Sequence, residues 1–183
     1  MKKLFAALPV AAMLVLSACS NNLYADVTRF HTNQPITRGT LAVVPIDPAM
    51  ANSLEFRTHA ETVAVQMRRL GYSTGLPSGQ ADYIATLDIT QTDSLGNVTR
   101  PGGATAPPAP VDGSRRNPAL LTTTLFVKIQ RRADGAQIWE GRATKQVNTG
   151  DSLAAATNGV PALAEALFRE FPGTPGVTVQ VRL

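Results

Sequence analysis

Residues 25–183 are predicted to form a single α+β domain, a two-layer sandwich. A mostly antiparallel sheet of four to five strands carries two helices on one face. Three observations predict it. Segments 81–92, 121–131 and 137–147 alternate apolar and polar side chains with the period of a half-buried strand. Phe56, Ala60, Val63, Met67 and Leu70 recur at helical spacing, and Leu163, Leu167 and Phe171 do the same. Ala133-Asp134-Gly135-Ala136 joins two of the alternating segments as a turn of the Asp-Gly type.

The chain opens differently. Lys2 and Lys3 precede an apolar run over 4–16, which falls short of the ~20 residues a membrane-spanning helix needs. Small Ser17 and Ala18 follow, then Cys19, the only cysteine. This stretch resembles a bacterial lipoprotein signal peptide, residues 1–18, ending in a lipobox. The resemblance implies that Cys19 is diacylated on sulfur, becomes the first residue of the mature chain and is acylated on its amine. In such lipoproteins an aspartate next to the cysteine tends to retain the protein at the inner membrane. Ser20 implies onward transport to the outer membrane, with the domain facing the periplasm. Residues 19–24 are then the lipidated N-terminus and a short tether, whose ~5 residues reach no more than ~18 Å, so the domain is expected to sit close to its membrane.

Residues 24–31 already alternate like a strand. The apolar run 40–46 reads as a strand buried on both faces, with Pro45 at its end. Asp47-Pro48 turns the chain, and Asn52 with Glu55 has capping-box spacing. The helix that follows ends in Arg68 and Arg69, where cations oppose the carbonyl end, and Gly71 supplies a left-handed C′ residue. In the next strand Tyr83, Ala85, Leu87 and Ile89 share one face, while Asp88 faces water or pairs across the sheet. Residues 93–118 are rich in Pro and Gly and read as a long loop. Leu125, Val127 and Ile129 face the core. Trp139 is expected to lie over its small neighbours Gly141 and Ala143. Asp151 and Ser152 can cap a last helix that Gly159 and Pro161 interrupt, Pro172 closes it, and 177–181 can add a terminal strand.

Composition narrows the function classes. The net charge of +4 falls to about +2 once Lys2 and Lys3 are cleaved away, too little to argue for nucleic acid. With Cys19 lipidated no thiol remains for a disulfide, so burial alone holds the domain together. Each buried CH₂ of lipid contributes roughly 0.8 kcal/mol, and three chains make release negligible.

Several short motifs act as a set: Gly71-Tyr72 after the first helix, Ala81-Asp82-Tyr83 opening a strand, Asp134-Gly135-Ala136-Gln137-Ile138-Trp139-Glu140-Gly141 in the hairpin, and Phe171-Pro172 after the last helix. Behind a lipobox, they resemble the bacterial lipoproteins called domain of unknown function 4136. The resemblance spans essentially the whole mature chain and implies an envelope α/β lipoprotein, with no catalytic residue to carry over. The enlarged loop and the residues after Gly173 depart from it.

Catalytic patterns are absent: the sequence has no Gly-x-Ser-x-Gly, His-Glu-x-x-His or phosphate loop. His31 and His59 are too few for a closed metal site, so no metal or cofactor is expected. Asp82 and Asp88 are a poor acid–base pair. Arg68, Arg69, Arg115 and Arg116 are candidate contacts for anionic headgroups or an acidic partner, and Arg131-Arg132 is a third doublet. The expectation is a lipid-anchored envelope protein that serves as a non-enzymatic accessory or binding module with an envelope protein partner. The alternatives are an envelope hydrolase acting on a cell-wall or lipid substrate, or a purely structural lipoprotein.

Overall fold

The computed structural model describes residues 24–33, 35–94, 96–100, 120–148 and 159–183. The signal peptide, Cys19, Ser20, Arg115, Arg116, the Asp151–Ser152 cap and most of the 93–118 loop lie outside the described residues.

Eight strands form one mixed sheet, which corrects the expected mostly antiparallel sheet of four to five. They are β1 (Tyr24–His31), β2 (Thr40–Pro45), β3 (Ser73–Thr74), β4 (Tyr83–Asp93), β5 (Val98–Thr99), β6 (Leu120–Arg131), β7 (Gln137–Asn148) and β8 (Thr178–Arg182). Their order is β3-β2-β4-β6-β7-β1-β8, with β5 also on β4. Helix α1 (Leu54–Arg69) causes the mixed character, because it carries the chain back from the end of β2 to the start of β4. Strands joined by such a crossover run parallel, as β2 and β4 do. The two-residue strands add to the count without adding a readable alternation. Along β4 the long loop also starts later than expected, since β4 runs to Asp93 and Val98–Thr99 folds back onto it.

The register places the apolar residues on one face. Ala85, Leu87 and Ile89 stand opposite Ile129, Val127 and Leu125, which in turn oppose Trp139, Gly141 and Ala143. The row continues through Arg29 and Val27 on β1 to Val179 on β8. Over this face lie α1, which buries Val63, Ala64 and Met67, and α2 (Val160–Phe168), which buries Leu163, Ala164 and Leu167. Val63 and Met67 of α1 and Leu163, Ala164 and Leu167 of α2 share one continuous core with the apolar residues of β4 and β6.

Local signals explain most of the element ends. Asp47 accepts from the Ala49 amide at 3.0 Å and caps a 3-10 turn, Pro48–Asn52. Asn52 therefore closes that turn, and Ser53 caps α1 by accepting from the Phe56 amide. The cap falls one residue later than the Asn52–Glu55 spacing suggests, because the proline starts a helical turn of its own. Gly71 has φ +90°, the left-handed C′ residue the sequence predicts. Helix α2 has Gly159 as its N-cap residue and Pro161 in its first turn, and it ends at Phe168.

Trp139 is the largest fully buried side chain, 1% exposed. A Cβ at Gly141 would come within 2.5 Å of the indole and 2.8 Å of Leu167, so glycine there lets the ring lie flat along the strand under α2. The register of β6 against β7 shifts between Ile129 and Gln130, and both Ile138 and Trp139 are buried there.

Candidate functional site

Strand β4 has β6 along its whole length on one side, so β2 and β5 share the other side. Between the end of β2 and the start of β5 that row is broken. The break forms a small apolar cleft of about 40 Å³, room for one or two waters. Ile46, Met50, Phe56 and Leu87 line it, and His59 and Asp88 both reach it. Each has a charged neighbour. Asp88 accepts from Arg100 Nε at 3.2 Å, and His59 Nε2 lies 3.8 Å from Glu55 Oε1 one turn back on α1. Among the described residues no serine lines this cleft. Asp82 is separately engaged at the start of β4. The Thr40 amide and hydroxyl donate to its Oδ2 at 2.8 and 2.7 Å, and hold the carboxyl below the usual aspartate value.

A wider depression of about 730 Å³ lies by the C-terminal ends of the two helices, with His31, Arg38, Tyr72 and Phe171 in its wall. The Asn33 amide donates to His31 Nδ1 at 3.2 Å, which puts the ring proton on Nε2 to donate to the Gly173 carbonyl at 3.0 Å. Both ring nitrogens are thus committed to the backbone. Tyr72 meets Tyr83 edge-on at 5.9 Å, and burial pushes its hydroxyl up to about 12. Among the described residues no group of three or more His, Cys, Asp or Glu is placed to hold a metal ion.

The structure brings two of the three arginine doublets to one end of the sheet. Hydrogen bonds from Ser73 to Gly39, Asp82 to Thr40 and Arg132 to Asp82 run across that end, where α1 finishes and β6 ends. Each guanidinium but one is tied down. Arg68 pairs with Glu61 and donates to Thr74, Arg131 pairs with Asp134, and Arg132 donates to the Ala81 carbonyl. Among the described residues Arg69 has a 3.5 Å contact with Gln66. Arg115 and Arg116 lie outside the described residues.

Sequence reasoning missed Arg29, Arg38 and Lys145. Arg29 is 4% exposed and caps the C-terminal end of α2 with three bonds of 2.8 Å, to the carbonyls of Leu167, Ala166 and Arg169. Arg38 serves α1 in the same way, through Nε to the Leu70 carbonyl at 3.0 Å. In each case the arginine passes over a glycine of positive φ just beyond the helix, Gly173 or Gly71. Lys145 is buried opposite Thr123, and burial lowers its ammonium from the usual lysine value. One signal could have found two of these. Arg29 and Lys145 each occupy an apolar phase of an alternating strand, after Val27 and before Val147, where a charge needs a built partner.

Comparison with known proteins adds the following. A sequence model of the family described as domain of unknown function (DUF4136) matches residues 22–173. An uncharacterized protein of Zymomonas mobilis is 22% identical over 211 residues, covering 86% of this chain and 80% of that protein. Among solved structures, a PDZ domain protein from Parabacteroides distasonis superposes with a TM-score of 0.53 at 11% identity, over 86% of this chain and 38% of that one. This chain therefore spans well under half of that structure, and the likeness is one of fold alone. A PelC dodecamer from Paraburkholderia phytofirmans gives a TM-score of 0.40 at 10% identity, over 76% of this chain and 96% of that one.

Proposed function

The chain belongs to the DUF4136 family, and from that premise we propose that it is a lipid-anchored protein of the bacterial envelope whose domain acts as a binding or accessory module. One observation carries the reading: Leu16-Ser17-Ala18-Cys19, placed behind a basic start and a short apolar run. Support also comes from the cleft, where Asp88 pairs with Arg100, His59 lies 3.8 Å from Glu55, and no serine is among the described lining residues. Outer-membrane placement rests on Ser20 next to the lipidated cysteine.

Lipid transfer needs a thiolate nucleophile. Cys19→Ala is therefore expected to abolish incorporation of a fatty-acid probe and to leave the leader uncleaved on a gel. Label persisting on that variant would end the lipoprotein reading. Sorting is tested separately: Ser20→Asp should move the protein from the outer-membrane to the inner-membrane fraction on a sucrose gradient. An unchanged distribution would remove the basis for the outer-membrane assignment.

A further inference from the structure

The sheet ends in two unlike edges. At one end β3 pairs with β2 only as far as Leu41, so from Ala42 to Pro45 the side of β2 away from β4 has no strand beside it among the described residues. That edge is recessed. Val43, Phe56, Ala60, Ala64 and Leu76 wall a groove of about 670 Å³ between β2 and the overlying α1. At the other end β8 pairs only with β1, and its outer side has no neighbour among the described residues. That edge protrudes. Val177 is 46% exposed and Val179 36%. A strand that shows unpaired backbone and β-branched side chains is a template for pairing with another chain.

The geometry points to head-to-tail association, in which β8 of one copy adds to the β2 edge of the next. Three features select this pairing over its rivals. The free stretch of β2 is four residues and β8 is five, so at ~3.3 Å per residue the two match in length. The faces also match. Val179 and Val181 stand opposite Val27 and Ala25, on the helix-covered side, so in a continued sheet they enter the groove beside Val43 and under α1. The single charge on β8, Arg182, pairs in register with Tyr24 and faces the other way. Arg182 is therefore kept out of the groove, whose apolar floor is flanked by Arg57, Glu61 and Arg68. Pairing β8 with a second β8 would leave the valines uncovered, and two recessed β2 edges cannot fill each other. Unlike edges joined in this way generate a ring where the rotation closes and a filament where it does not. Strand β8 lies beyond residue 173, where the family match ends.

The test uses the full chain in a nonionic detergent, with protein mass from light scattering after the micelle is subtracted. The wild type is expected to exceed two copies at tens of micromolar and to dissociate on dilution. Val179→Arg spoils the donor edge and Ala60→Arg the groove, so each alone should have the mass of one copy. Mixed in equal amounts they should give two copies and no more, since one intact groove meets one intact β8. A wild type of one copy at every concentration overturns the proposal, and so does self-association surviving in Ala60→Arg, which would mean β8–β8 pairing. A second measurement does not depend on assembly. A fluorescent peptide of residues 176–183 should bind Val179→Arg at least tenfold more tightly than Ala60→Arg. Equal binding to the two would likewise overturn it.

Discussion

Trp139→Ala is expected to lower the unfolding free energy by about 3–5 kcal/mol, the range for emptying a large buried aromatic site. That is a large share of a domain's whole stability. The size follows from what the indole touches. It stacks on Phe168 at 5.5 Å, tilts against Phe171 at 5.3 Å and donates its N–H to the Pro172 carbonyl at 3.0 Å. Truncation therefore leaves a cavity under α2 and an unpaired carbonyl together. Urea titration followed by far-UV circular dichroism measures the cost. The wild type offers an independent check, because Trp139 is the sole tryptophan. Its emission should be blue-shifted in the native state and move red on unfolding. Native emission at the wavelength of free indole in water would place the ring outside the core.

The second large effect is expected at Arg29. Arg29→Met keeps much of the side chain's length but removes every donor from the carbonyls of Ala166, Leu167 and Arg169. The last turn of any helix leaves carbonyls without intrahelical partners, and here they end in the protein interior. Each charge-assisted bond contributes roughly 1.5–3 kcal/mol and each orphaned buried group costs ~1–3 kcal/mol, so the net loss is set at about 3–5 kcal/mol. Arg29→Lys should recover only part of it, since a single ammonium cannot address three carbonyls in the planar fork that arginine presents. Burial lowers the proton affinity of Arg29 and Glu170 raises it. Arginine starts so far above neutrality that the effect should be constant across ordinary pH. Denaturation midpoints in the order wild type, lysine, methionine are the expected result. Equal midpoints for lysine and methionine would mean that bulk, not hydrogen bonding, fills the site.

The contrast between these residues shows what the chain made readable. Trp139 over Gly141 was legible because one residue of maximal size and one of minimal size alternate on the same strand face. The α1 stripe and the Asp134-Gly135 hairpin were legible for a similar reason, since each is a local pattern with one structural solution. Pairing direction was not. Alternation along 83–93 says which side chains face the core and nothing about whether the neighbour runs parallel, which α1 decides by returning the chain. Ser73–Thr74 and Val98–Thr99 are too short to carry any period. As for sites, Arg68 was visible as a helix-end cation, but its partners Glu61 and Thr74 come from elsewhere in the fold. Arg29 was hidden by the rule that helped elsewhere. A strand pattern treats an arginine as outward-facing, whereas here the end of a distant helix draws it inward.

The position of β1 has a mechanical consequence. Tension drawn through the residues before Tyr24 enters the fold at an interior strand, held by β7 along one side and β8 along the other. A pull along that strand cannot unzip one bond after another from a free edge. It has to shear two ladders at once, against the Arg29 side chain, which pins β1 crosswise to the end of α2. The point where a membrane tether would load this domain is thus braced on three sides.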